Sequence, residues 1–230
     1  MKLLAFETAT EACSVAVYVD GDVHARFEVA PRRHAELALP WADALLADAG
    51  ITRAQLDAIA VGRGPGAFTG VRLAIAIAQG IALALDRPVL PVSTLAALAM
   101  RAGGERRIAA IDARMGEVYL GLFARDGDGL RALGPETVVA PADAPLPAGD
   151  GWCGVGTGFA AVDAALVKRL GACLQAADAT ALPHAADVAW LAAQAYGRGE
   201  AVSPEKAEPA YLRNHVALTI AERAAQGIGR

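Results

Sequence analysis

The residues whose types and spacing could do chemistry lie in two short stretches, Glu7-Thr8-Ala9-Thr10 and the glycine-rich run from Gly62 to Gly70. An acidic, hydroxyl-rich turn between two strands is where a nucleotide-binding fold can seat a phosphate. Glycines at 62, 64, 66 and 70 allow positive φ and leave amide N–H groups uncovered, which an anion cradle or a tightly packed loop needs. Thr8, Thr10, Gly64 and Gly66 are therefore the candidate nucleotide contacts. A capped turn and a purely structural loop are the competing readings, and the flanking residues favour them. Gly62, Gly64 and Ala67 fit a loose G-x-G-x-x-A, but the nearest candidate for a ribose-binding acid, Asp86, comes before the next strand has begun. The Lys-Ser or Lys-Thr pair that closes a P-loop is missing as well.

Other chemistries lack their constellations. The serines are Ser14, Ser93 and Ser203, none in a G-x-S-x-G elbow. Cys13 has no base singled out by spacing, because His24, His34, His184 and His215 are scattered and form no H-x-x-x-H or H-E-x-x-H pair. The sequence yields no catalytic residue, no metal ligand set and no cofactor.

The elements that would position these residues follow from periodicity and punctuation. Lys2–Phe6, Ser14–Val19 and Val23–Val29 read as a three-stranded meander turning at Asp20-Gly21-Asp22. His34–Ala49 is a helix stopped by Gly50, with Pro40 either kinking it or marking its true first turn. Thr52 and Gln55 form a capping box, Ala58–Val61 is a strand, and Pro88–Val92 another, with Ser93 capping a short helix to about Met100. Arg101–Arg107 is a polar join that divides the chain into units 1–103 and 104–230. The second unit opens with strands at Ile108–Ile111 and Glu117–Phe123, and Gly156-Thr157-Gly158 before a helix near 159–170 echoes the first half. A helix over 185–196 precedes a tail able to fold back as an edge element.

From Val71 to Leu85, large and small residues are interleaved around the whole helical wheel, so no broad polar face is left for water. Ala74, Ala78 and Ala82 make one small-residue stripe, and Ala76, Gly80 and Ala84 make another on roughly the opposite side. Arg72, Gln79 and Asp86 leave the run short of the ~20 apolar residues that a membrane span needs. The helix is expected to be buried or covered by a partner. Leu37, Trp41 and Leu45, on one face of the 34–49 helix, are core or interface, and with Val71, Ala74, Ile75, Ala78 and Ala82 they form the candidate partner surface.

With 230 residues, 55% of them hydrophobic and 20% charged, the chain can bury a substantial core, and a net charge of -4 argues against its holding nucleic acid alone. Cys13, Cys153 and Cys173 are an odd number in unrelated contexts, and Glu7 and Glu11 interrupt the N-terminal apolar stretch. A reduced cytoplasmic protein, neither exported nor in a membrane, is expected.

MKLLAFETATEACSVAV, GRGPGAFTGVRLAIAIAQGIALAL, PVSTL, AAIDARMGEVY and AEPAYLRN together resemble the bacterial TsaB family of tRNA threonylcarbamoyladenosine biosynthesis proteins. The resemblance spans nearly the whole chain. It implies an α/β, two-lobed fold of the actin, sugar-kinase and Hsp70 (ASKHA) type, built from two related βββαβα subdomains. It further implies a non-catalytic subunit that dimerises with a TsaD-like catalytic relative, works with a TsaE-like ATPase, and meets tRNA through that assembly. In the catalytic relatives an H-x-x-x-H metal pair follows the strand after the long helix, where this chain reads Pro91-Val92-Ser93-Thr94-Leu95-Ala96-Ala97. Glu7-Thr8-Ala9-Thr10 likewise departs from the superfamily's D-x-G-T phosphate loop. A scaffold, a peptidase of the glycoprotease-like group and a stand-alone kinase or ATPase are the three hypotheses, and the residues supply only what a scaffold requires. Alone, such a chain is expected to pair with its own copy through the helix faces.

Overall fold

The computed structural model describes residues 1–213, so His215 lies outside the described residues. β1 (Lys2–Glu7), β2 (Ala12–Val19) and β3 (Asp22–Val29) form an antiparallel meander. β4 (Ala58–Gly62) and β5 (Val89–Val92) extend it in parallel on the other side of β1, giving the order β3-β2-β1-β4-β5. Parallel neighbours need crossovers, and α1 (His34–Asp48) and α2 (Phe68–Leu85) lie on these connections. Pro40 sits inside α1.

The second half repeats this strand plan. β6 (Arg106–Arg114), β7 (Glu117–Asp126) and β8 (Gly129–Ala132) are antiparallel, while β10 (Trp152–Val155) and β11 (Leu174–Asp178) join β6 in parallel. The order β8-β7-β6-β10-β11 matches the first sheet strand for strand, with β9 (Thr137–Val139) paired to β7. The helices do not repeat in full, which corrects the expectation of two βββαβα units. Where the first half has α1, the second has β9 and a 3-10 turn at Pro141–Asp143. Pro141, Pro145 and Pro147 withhold the N–H groups that a helix would use there.

Strand alternation sorts the first sheet's side chains onto two covered faces. Leu4, Phe6, Val15, Val17, Ile59 and Val61 pack with α1 and α2, and Leu3, Ala5, Ala16, Ala58 and Ala60 pack with α5 (Ala185–Gly197). In the second sheet, Ile108 and Leu120 meet α4 (Ala161–Leu170), while Ile111 and Phe123 meet α3 (Thr94–Ala99). The last helix of each half therefore covers the other half's sheet. Alanines on both α5 and the first sheet allow that close seat, and Ser14 anchors it by accepting the Ala185 N–H through its hydroxyl at 3.0 Å.

Beyond α5, Val202 exchanges two backbone hydrogen bonds with Val89 at the edge of the first sheet, 2.8 and 2.9 Å long. The Gln79 side-chain amide donates to the Pro204 and Ala207 carbonyls, the Ala210 N–H donates to the Arg63 carbonyl, and Arg213 donates to the Ala113 carbonyl at the end of β6. The segment thus runs from the first sheet to the second.

Candidate functional site

The glycine run is a loop closed onto the turn after β1. Ala67 N–H donates to the Ala9 carbonyl at 2.7 Å, and the Thr8 hydroxyl donates to the Gly70 carbonyl at 2.7 Å. The four glycines do not share one reason for being glycine. Gly64 alone has positive φ, at 89°, whereas Gly62, Gly66 and Gly70 are held by close approach. A Cβ on Gly70 would lie 1.9 Å from the Thr8 carbonyl oxygen, and one on Gly66 would lie 2.3 Å from that of Ala9.

The four candidate nucleotide contacts are engaged within the chain. Thr8 is bonded to Gly70, Thr10 Oγ1 accepts the Ala12 N–H, Gly64 N–H donates to the Thr94 hydroxyl, and Gly66 abuts Ala9. Glu7 fills the remaining space beside Gly62, with its carboxyl accepting from the Ala9 N–H at 2.7 Å and the Thr94 hydroxyl at 2.9 Å. Burial pushes that carboxyl up to about 7, against the lowering effect of these donors. Such backbone-on-backbone packing should be intolerant of a methyl group. Gly70→Ala is expected to destabilise the fold by about 2 kcal/mol, outweighing the ~1 kcal/mol that alanine gains in a helix. An unchanged melting temperature would show that the loop can open without cost.

The nucleophiles are disarmed. Cys13 is fully buried and its thiol is raised to about 11, by burial first and then by Glu28. The fold brings together a pair that sequence spacing could not reveal, Ser14 Oγ and His184 Nδ1 at 3.4 Å. Ser14 is fully buried and its hydroxyl donates to the Arg26 carbonyl, while the same His184 nitrogen accepts the Ala186 N–H as the cap of α5. Both atoms hold α5 in place. Among the described residues, no group of His, Cys, Asp and Glu is arranged to hold a metal ion.

The helix surface requires a correction of the candidate interface. Ala74, Ala78 and Ala82 are 0% exposed, and Val71, Ile75 and Leu45 are buried with them in the core under α1 and α2. These six face the chain's own sheet and have no surface left for a partner. Leu37 and Trp41 remain half-buried at the margin of that core. The opposite stripe, Ala76, Gly80 and Ala84, is the exposed one, flanked by half-buried Ile77 and Ile81 and by Leu83, which is 65% exposed. Leu39 adds an exposed apolar side chain on α1. By length and composition α2 could cross a membrane, yet one side of it is seated on the sheet.

These features define a two-sheet α/β protein with a sealed glycine loop, no assembled catalytic group among the described residues, and an apolar helical face left open. The sequence profile described as TsaD, tRNA N6-adenosine threonylcarbamoyltransferase, matches residues 16–220. The tRNA threonylcarbamoyladenosine biosynthesis protein TsaB of Escherichia coli is 44% identical, covering 94% of this chain and 96% of its own. Its Haemophilus influenzae counterpart is 40% identical over 94% and 95%. A crystal structure of an uncharacterized Pseudomonas aeruginosa protein described as similar to peptidase YEAZ superimposes with a TM-score of 0.86 at 49% identity, covering 92% of this chain and 99% of that one. The chain belongs to the TsaD family and stands within it among the bacterial TsaB proteins.

Proposed function

We propose that this chain is the non-catalytic scaffold or activator subunit of a cytoplasmic assembly that makes threonylcarbamoyladenosine in tRNA. It pairs with a TsaD-like catalytic subunit through the outer face of α2 from Ala76 to Ala84 and the margin of α1, works with a TsaE-like ATPase, and meets tRNA within the assembly. When alone it pairs with its own copy through the same surface. The observation that carries this reading is an exposed apolar stripe on a long helix, beside a loop whose Gly64 and Gly70 backbone groups are bonded to Thr94 and Thr8. The matching strand order of the two sheets supports an actin-, sugar-kinase- and Hsp70-like plan, with the seat for a phosphate closed. The peptidase reading suggested by the Pseudomonas aeruginosa description has one attractive pair, Ser14 and His184, and both serve as helix anchors.

The test is co-purification with the catalytic relative from the same cell, followed by size-exclusion chromatography. A one-to-one complex is expected, together with no ATPase or peptidase turnover by the isolated chain. Separate elution of the two proteins, or turnover by the chain alone that Cys13→Ala or Ser14→Ala abolishes, would overturn the reading.

A further inference from the structure

Where the first lobe meets the tail and the β6–β7 turn, exposed aromatic and guanidinium groups form one strip. Phe68 and Arg72 lie one turn apart at the start of α2, with the guanidinium carbon 3.5 Å from the Phe68 ring centroid. Arg72 Nε donates to the Tyr211 hydroxyl at 2.7 Å, and the Phe68 and Tyr211 ring centroids are 6.3 Å apart. Both rings are exposed, and Arg72 has no carboxylate partner among the described residues. The tail then carries Arg213 into the β6–β7 turn, within 3.5 Å of the Met115 sulfur.

That turn is built to project. Arg114, Met115 and Gly116 all have positive φ, at 62°, 56° and 77°, a conformation that side chains other than glycine adopt at a cost. It leaves the Arg114 side chain 84% exposed, paired only at its edge with Asp112, and Met115 81% exposed. The turn thus holds Met115 out in water beside the Arg213 end of the strip.

We infer that this strip, from Phe68 through Arg72 and Tyr211 to Arg114 and Met115, receives unpaired nucleotides of the RNA substrate. The inference rests on the subunit reading above and names a surface through which that assembly holds its tRNA. Bases stack on exposed aromatic and guanidinium planes, arginines take the phosphates, and an apolar tip such as Met115 can wedge between bases. Arg72 is the strip's unpaired cation among the described residues, Arg114 is exposed beside Asp112, and Arg213, 17% exposed and paired with Glu117, fixes the tail against the end of β6. The three arginines and two carboxylates named here sum to +1 on a chain whose net charge is -4, so the strip suits a polyanion better than the chain as a whole does.

The experiment uses the purified complex of the full chain with its catalytic relative and a labelled tRNA substrate, read by fluorescence anisotropy across a salt series. Arg72→Ala, Tyr211→Ala and the double change Arg114→Ala with Met115→Ala should each weaken tRNA binding roughly tenfold while the complex stays intact. Arg72→Ala should also reduce the slope of log affinity against log salt by about one. Wild-type affinity and slope in all three variants would overturn the inference. Loss of the protein complex in these variants would overturn it too, by making the strip a protein contact. If the wild-type chain forms no complex at all, the subunit reading fails and this inference falls with it.

Discussion

Gly80→Arg should leave the chain folded and stop it from joining a TsaD-like partner, whereas Ala78→Arg, two residues earlier, should prevent folding. Gly80 lies on the exposed stripe of α2, and a Cβ built there meets nothing within 4 Å. Replacing a helical glycine also removes its conformational freedom, a gain of about 1 kcal/mol for the free chain. At the centre of an apolar interface, however, the new guanidinium would be stripped of water without a partner. A weakening of at least a hundredfold, about 2.7 kcal/mol, is the expected consequence. Ala78 has no exposed surface and sits among Leu4, Phe6, Ile59 and Val61. An arginine forced into that packing adds overpacking to an unpaired buried charge, which together should cost more than 4 kcal/mol. Thermal melting separates the two variants, and size-exclusion with the catalytic relative and assay of tRNA modification complete the comparison. If Gly80→Arg still forms the complex and supports modification, the outer face of α2 is not the interface. If Ala78→Arg folds normally, the inner stripe is not core.

The contrast between these neighbouring positions shows where sequence reasoning stops. Both stripes of α2 are small residues at the same spacing, so composition cannot say which one meets the sheet. The flanking residues held a clue: β-branched Val71 and Ile75 adjoin the inner stripe, while Arg72 and the helix-weakening Gly80 mark the outer side. Two capping signals were legible in the sequence. Ser93 caps α3 by accepting the Ala96 N–H, and Thr52 with Gln55 opens a 3-10 turn at Arg53–Gln55. β11 was not legible, because Leu174–Asp178 is a mostly exposed edge strand with no apolar alternation to announce it. The seat of α5 on the first sheet was hidden for another reason. Its anchor, Ser14 to Ala185, joins residues 171 positions apart, and no local pattern encodes such a contact. In the glycine loop the sequence pointed correctly to constraint, but mainly to the wrong kind, since close approach to Thr8 and Ala9 rather than positive φ governs Gly66 and Gly70.

Glu7 should make the chain less stable as pH rises, and Glu7→Gln should remove that dependence. Burial raises the folded carboxyl to about 7 from the ordinary 4.5, so the folded chain keeps a proton that the unfolded chain has already released. Below about pH 4.5 the group is protonated in both states and contributes no pH dependence. Between the two values the unfolded state binds fewer protons than the native state, so stability falls as pH rises, by up to about 1.4 kcal/mol per pH unit. Above about 7 both states are ionised and the loss levels off at about 3 kcal/mol. From pH 5 to pH 8 the wild type should therefore lose about 2.5 kcal/mol relative to the glutamine variant. Using the difference matters, because Asp187 is also raised, to about 6 by burial, and adds a slope of the same sign to both proteins. Glutamine keeps an oxygen for the Ala9 N–H and a polar group facing Thr94, so its absolute stability reports the rearranged hydrogen bonds while the pH slope reports the proton. Urea unfolding of both proteins at pH 5, 6, 7 and 8 supplies the measurement. Parallel curves across that range would mean that Glu7 ionises in the folded chain as readily as in water, and that the space beside Gly62 is open to solvent rather than sealed.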